Sequence, residues 1–260
     1  MEQFRPAKKA LGQNFLHDQQ IIQRIVDSIA VDEKDTVIEI GPGRGALTEL
    51  LIQSGCDLQV IEYDYALAEY WQTQTEQFNN LTVHQANVLK VDLNDISDHQ
   101  TIKIIGNLPY NISSQILINL LQTQHVKTCV VMLQLEMVDR IIAEPNNKSY
   151  GRLSVMLQQH FDCEKLFKVP SGAFNPAPKV DSAILQLTPK SSSITLENPQ
   201  RFAKIVKAAF SQRRKTLRNN LKKILSAEKI SQVGIDPRLR AENLSVFDFE
   251  KLSNISDENK

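Results

Sequence analysis

The feature that most constrains this chain is an alternation of two hydrophobic periods. Short apolar runs recur between longer stretches whose apolar residues repeat as they do on a helix. Thr36-Val37-Ile38-Glu39-Ile40 reads as a strand, and residues 45–51 open a helix with Leu47, Leu50 and Leu51 on one side. Leu58-Gln59-Val60-Ile61 is a second strand and residues 64–77 a second helix; residues 81–85 and 102–106 supply two more strands. Ser113 is placed to cap a helix whose apolar positions are Ile116, Leu117, Leu120 and Leu121. Cys129-Val130-Val131-Met132-Leu133 is apolar throughout, as a parallel strand buried on both faces must be. Strands joined through helices have to run parallel, so the order predicts an α/β fold, a doubly wound Rossmann-like sheet with helices on both faces. Residues 166–169 and 183–188 read as two further strands, an antiparallel pair at one edge. Pro189-Lys190-Ser191-Ser192-Ser193 breaks the pattern, and the remainder is short and helical. The expectation is a domain over 1–190 and a small helical C-terminal domain over 191–260.

Composition excludes several classes. At 260 residues, with 42% hydrophobic and 23% charged side chains, the chain has the make-up of a soluble globular protein. Thirty basic residues offset thirty acidic ones, so overall charge does not announce a polyanionic partner. Cys56, Cys129 and Cys163 are odd in number and far apart, which fits reduced core thiols and predicts no metal site. No signal-peptide core follows Met1, and no run of about 18 apolar residues occurs anywhere. The expectation is a cytoplasmic protein with no membrane partner.

The first strand runs into Glu39-Ile40-Gly41-Pro42-Gly43-Arg44-Gly45. Glycines let a backbone approach a ligand closely, and a strand–loop–helix crossing at this edge is where doubly wound sheets bind cofactors. Twenty-one positions after Gly41, Glu62 ends the second strand, where a carboxylate can accept from both hydroxyls of a ribose. The spacing is G-x-G-x-G after an acid, the form usual in S-adenosylmethionine enzymes, rather than the G-x-G-x-x-G suited to a dinucleotide pyrophosphate. A nicotinamide enzyme is therefore disfavoured.

The fourth strand leads directly into Asn107-Leu108-Pro109-Tyr110, on the same carboxyl edge. The exocyclic amine of adenine is a poor nucleophile because its lone pair is delocalised into the ring. Hydrogen-bond acceptors aimed at the amine free that lone pair, and the Asn107 amide oxygen and Leu108 carbonyl are candidates. Tyr110 offers a face for a splayed-out base, worth about 1–3 kcal/mol.

On these motifs the chain resembles the small-subunit ribosomal RNA adenine dimethyltransferases, the KsgA family, over nearly its whole length. Lys9-Ala10-Leu11-Gly12-Gln13-Asn14-Phe15-Leu16 resembles the family's opening motif, which implies that Asn14 and Leu16 touch the cofactor. The glycine loop with Gly41 and Gly43, then Glu62-Tyr63-Asp64, then Asn107 to Tyr110 follow in the family's order. The stretch from Phe174 through Asn175-Pro176-Ala177-Pro178-Lys179 to Ser182 resembles the loop that closes over the target base. Residues 210–221 resemble the family's C-terminal helix. The resemblance implies a methyltransferase that uses S-adenosylmethionine to dimethylate two adjacent adenines in the last hairpin loop of 16S rRNA, within the small ribosomal subunit or its precursor. It also implies a role in assembly of that subunit. We expect the enzyme to act as a monomer.

Two departures stand out. Where the family usually has an Asp accepting from the cofactor's adenine, this chain has Asn87, which accepts without charge assistance at a cost of about 1 kcal/mol. The chain is also neutral where the family is usually basic. Locally it is not, since residues 201–230 carry ten Lys or Arg against Glu228 alone, a net charge of +9. Arg213, Arg214, Lys215 and Arg218 are the candidate RNA contacts in that stretch. The alternatives are a large-subunit rRNA adenine methyltransferase of the macrolide-resistance type and a non-catalytic assembly factor on the same fold.

Overall fold

The structure, a computed structural model, describes residues 12–96, 101–190 and 196–255. Residues 9–11 of the opening motif and 191–193 of the expected linker lie outside them. The chain divides into two compact units, Met1–Val138 with Asp162–Pro189, and Asp139–Phe161 with Lys190–Lys260.

The first unit opens with β1 (Phe15–Leu16) and α1 (Gln19–Ile29). The Asp18 side chain caps α1 by accepting from the amides of Gln20 and Ile21, and Ile21, Ile22, Ile25 and Ile29 form its buried face. Then come β2 (Thr36–Ile40), α2 (Thr48–Gln53), β3 (Asp57–Glu62), α3 (Tyr65–Gln74), β4 (Leu81–Gln85) and α4 (Leu93–Ile96). They are followed by β5 (Ile102–Asn107), α5 (Ser113–Leu120), β6 (Val126–Gln134) and α6 (Leu135–Ile141). After α7 (Arg152–His160) the chain adds β7 (Phe161–Val169), β8 (Phe174–Asn175) and β9 (Ser182–Pro189).

The main sheet has the order β4-β3-β2-β5-β6-β9-β7. Its first five strands pair in parallel, while β9 is antiparallel to β6, from Cys129↔Leu187 to Gln134↔Ser182. The two strands expected at one edge are indeed neighbours there, β9 laid on β6 and β7 outermost beside it. The chain winds from β2 outward through β3 to β4, then returns to β5 on the other side of β2. This reversal leaves a crevice at the carboxyl ends of β2 and β5, the position that doubly wound sheets use for ligands. A separate two-stranded sheet joins β1 to β8, with Phe15↔Asn175 and Leu16↔Phe174.

Two helix starts differ from expectation. Gly45 has φ of 92°, closed to a right-handed helix, so α2 begins three residues later at Thr48. Ser113 is the first residue of α5 rather than its cap, and its hydroxyl donates back to the Tyr110 carbonyl at 3.2 Å.

The second unit holds α7 together with α8 (Pro199–Ala209), α9 (Leu217–Leu221), α10 (Ala227–Gln232) and α11 (Val246–Ser253). The expected boundary at 190 misses the excursion 139–161. Those residues join the C-terminal helices because α7 packs on α8 and α11, and Tyr150 meets Phe210, which in turn stacks on Phe249 at 5.7 Å. Among the described residues, no helix is long and apolar enough to cross a membrane.

Candidate active site

A cavity of about 890 Å³ opens in the first unit at the carboxyl ends of β2, β3, β4 and β5. Its floor is the glycine loop. Gly43 has φ of 57°, and a Cβ there would meet the Phe15 ring at 3.3 Å, so only glycine lets β1 lie against the loop. Gly45 is held harder, since a Cβ would meet Trp71 at 2.6 Å. The same indole donates to the Gly43 carbonyl at 2.9 Å. The loop is therefore clamped from both sides before any ligand arrives.

Glu62 is buried at the end of β3 and oriented by two backbone donors. Its Oε2 accepts from Gly43 N at 3.1 Å and its Oε1 from Asp64 N at 2.7 Å. Burial pushes its carboxyl above the usual range, and these two amides oppose the push. Each oxygen keeps a lone pair for a further donor. Asn87 follows β4, where its Oδ1 accepts from Leu89 N at 3.0 Å and caps the one-turn helix Val88–Lys90. The amide in place of a carboxylate still performs this capping.

At the end of β5 the Asn107 Nδ2 donates to the Asn14 carbonyl at 3.0 Å. That bond fixes which way the amide points and leaves its oxygen without a partner among the described residues. Leu108 is buried and its N–H donates to Met132 O at 3.2 Å, carrying the β5–β6 ladder one residue further. Tyr110 shares a 2.6 Å hydrogen bond between its hydroxyl and Ser182 Oγ on β9, and burial raises the pKa of its phenol. A strap over the loop is tied down at several points. Gln13 donates to Asp64 Oδ2 at 3.1 Å, Phe15 lies on Gly43, and the Arg44 guanidinium stands over Phe15, 4.2 Å from its centroid.

Asn14, Leu16, Gly41, Gly43, Glu62 and Asn87 all line this cavity, as do Asn107, Leu108 and Tyr110. Phe174 does not. It is 3% exposed, pairs with Leu16 and belongs to the hydrophobic core, while its neighbour Asn175 lines the cavity instead. Successive strand residues point to opposite faces, so only one of the two can face the cavity. Four residues that sequence reasoning did not assign also shape the site: Glu39, Gln13, Tyr63 and Ser182. Glu39 was visible as the acid before the glycine loop; Ser182 carried no local signal, because its partner Tyr110 lies on another strand's exit.

The basic candidates sit in the second unit. Residues 210–221 are not one helix. α8 ends at Ala209, a turn follows, and α9 starts at Leu217. Asn220 Nδ2 accounts for the break by donating to the carbonyls of Ala209 at 2.6 Å and Gln212 at 3.1 Å. Arg213, Arg214 and Lys215 lie on the turn and Arg218 on α9, all exposed. Arg213 is engaged, donating to Glu242 Oε2 at 3.1 Å and also to the Lys148 carbonyl.

A cofactor of nucleoside size fits the cavity, and its polar groups meet suitable partners in an oriented carboxylate, an oriented amide oxygen and glycine backbone. Comparison with known proteins agrees. The ribosomal RNA adenine dimethylase family model matches residues 5–258. The ribosomal RNA small subunit methyltransferase A of Francisella tularensis subsp. novicida (strain U112) is 49% identical over 253 residues, covering 95% of this chain and 97% of that protein. Among solved structures, a dimethyladenosine transferase from Plasmodium falciparum is 26% identical with a TM-score of 0.78, over 92% of this chain and 95% of the other. The 23S rRNA methyltransferase ErmE is 25% identical with a TM-score of 0.71, over 94% and 100% of the two chains. By sequence over nearly its full length, and by fold, this chain belongs to the ribosomal RNA adenine dimethylase family.

Proposed function

We propose that this enzyme transfers methyl groups from S-adenosylmethionine to the N6 amines of two adjacent adenines in the 3′-terminal hairpin loop of 16S rRNA. It acts as a monomer in the cytoplasm, on the small ribosomal subunit or its precursor, and takes part in assembly of that subunit. The observation that carries the reading is the orientation of Asn107. Its amide nitrogen is spent on Asn14 O, so its oxygen is presented as an acceptor beside Tyr110. An amine that donates to this oxygen and to the Leu108 carbonyl is drawn toward a pyramidal nitrogen with a free lone pair. Tyr110, steadied by Ser182, supports the base from one face. Phe174 acts here from behind, by holding β1 through Leu16, rather than by direct contact with the base.

In this reading Glu62 accepts from the ribose hydroxyls, Asn87 accepts from the adenine amine, and Asn14, Leu16, Gly41 and Gly43 line the rest of the cofactor's bed. When bound, S-adenosylmethionine supplies an electrophilic methyl on a sulfonium that leaves as a neutral thioether, so no strong base of the chain is required. Alignment of donor and acceptor is then the main contribution of the protein. Arg214, Lys215 and Arg218, with Arg213 organising their turn, contact phosphates of the RNA. The likeness to ErmE supports a large-subunit substrate equally in fold, but 49% identity to a small-subunit enzyme against 25% favours the small subunit.

The test is methyl transfer from labelled cofactor onto small subunits isolated from a strain lacking this activity. Two dimethylated adenines per particle are expected. Labelling of large subunits instead would replace this reading with the macrolide-resistance type.

A further inference from the structure

Glu39 and Glu62 line the cavity and Asp64 lies just behind Glu62; the three buried carboxyls are not treated alike. Glu62 has a donor on each oxygen, and Asp64 accepts from Ala66 N and Gln13 Nε2, both at 3.1 Å. Glu39 lines the cavity at 1% exposure, and its Oε2 is buried without a hydrogen-bond partner among the described residues. Its register neighbours, Val60 on β3 and Ile105 on β5, are fully buried hydrophobics. The Thr48 hydroxyl is near enough to favour the charged form, yet it makes no well-formed hydrogen bond, since its own oxygen is also unpartnered.

The other charged groups around this point give little help. From β3 come Glu62 and Asp64, both like-charged. Lys103 on β5 is held by Asp35 at 2.6 Å. Arg44 in the glycine loop stands over the Phe15 ring, and Glu49 on α2 and His17 in the strap are exposed. A buried, unpaired carboxylate is costly, so such a group takes up a proton instead. Burial pushes the Glu39 carboxyl up to about 8, and the charge of Glu62 adds to the shift.

A cation in the cavity reverses this balance. S-adenosylmethionine carries one more positive charge than its demethylated product, S-adenosylhomocysteine, and the two are otherwise nearly the same shape. Resting on the cofactor reading above, we infer that Glu39 is the residue by which this site distinguishes the methyl donor from the spent product, and that donor binding displaces a proton from its carboxyl to solvent. The neutral acid accommodates the neutral-centred product, whereas the ionised acid stabilises the donor. Product release is thereby assisted each turnover by reprotonation of Glu39.

The sign follows from linkage. Binding that lowers a raised carboxyl pKa releases protons, so donor affinity rises with pH up to about 8 and levels off above it. Titration calorimetry of the whole protein with each compound, in two buffers of different ionisation heat at pH 7, reads the proton count directly. The donor is expected to release close to one proton and the product markedly less, with donor affinity rising about tenfold per pH unit below pH 8. Glu39→Gln matches the neutral acid in shape; it should abolish donor-linked release, flatten the pH profile and narrow the donor-to-product affinity ratio by about tenfold or more at pH 8. Donor binding by the wild-type protein without proton release overturns the inference while leaving the cofactor reading intact. So does a Glu39→Gln protein that still releases the proton, since Glu62 would then be its source. If neither compound binds, the cofactor reading fails and the inference falls with it.

Discussion

The cavity of the first unit and the basic turn of the second are built on opposite terms. Around the cavity, the polar groups of Glu62, Asn107 and Tyr110 are each half or fully buried and pinned by a specific partner. On the turn, Arg214 and Lys215 are exposed, while the Arg213 side chain is tied to Glu242 and Lys148. Preorganised groups act through geometry in a dry site, where each position counts heavily and salt counts little. Exposed cations act through number, in water, where each counts little and salt counts heavily.

The sharpest way to break this contrast is at Asn107. Asn107→Ala should lower single-turnover methyl transfer by about 10²–10³-fold, as loss of one preorganised polar group does, while leaving small-subunit affinity and its salt slope unchanged. Equal losses in rate and RNA affinity would make Asn107 a turn residue and dissolve the distinction. Next in size is Glu62→Ala. Calorimetry should show S-adenosylmethionine binding weakened by about 1–3 kcal/mol, the range for removing a charged acceptor from buried donors. Unchanged affinity in the folded variant would remove Glu62 from the site.

A smaller effect tests whether pinning itself matters. Ser182→Ala and Tyr110→Phe each delete one end of a single hydrogen bond, so each should cost about 0.5–1.5 kcal/mol in kcat/KM for small subunits, and the double variant no more than either alone. Additive losses would show that the hydroxyls act separately. The smallest single effects belong to the turn. Arg214→Gln with Lys215→Gln should weaken subunit binding mainly at low salt and lower the salt slope by somewhat under one unit for each phosphate no longer neutralised. Arg213→Gln should change the slope less than either, because its guanidinium is committed to Glu242 and Lys148. Calorimetric cofactor affinity should be the same in all three; a steep salt dependence of cofactor binding would erase the contrast from the other side.

Much of the first unit was legible because its inner strands, such as β2 and β5, are buried on both faces and read as apolar runs, while β4 at the edge is partly exposed and reads only as a short run set off by its flanks. Residues 36–40 and 81–85 match β2 and β4 end to end, and the glycine loop, Glu62 and Asn107 fell where strand ends had to be. What was not legible depends on contacts between residues far apart in sequence. The two-residue strands β1 and β8 are too short to carry a period, so the strap and the burial of Phe174 could not be foreseen. The Tyr110–Ser182 bond and the isolation of Glu39 likewise emerge only when strands are laid side by side. In the second unit, resemblance suggested a continuous helix over 210–221, but a single amide on Asn220 diverts the carbonyls of Ala209 and Gln212 into a turn. The excursion of 139–161 into that unit leaves no compositional mark.

The pairing of β1 with β8 bears on how the protein is made. Phe15 and Asn175 are register partners from opposite ends of the first unit. During synthesis, at about 5–20 residues per second, the glycine loop and its strand emerge long before the segment that holds the strap in place. Closing so long a loop is entropically expensive, and two residues of ladder return little on their own. The cavity is therefore covered late, after the sheet it rests on, and a chain cut short of Asn175 would carry the motifs without the β1–β8 pairing that covers them.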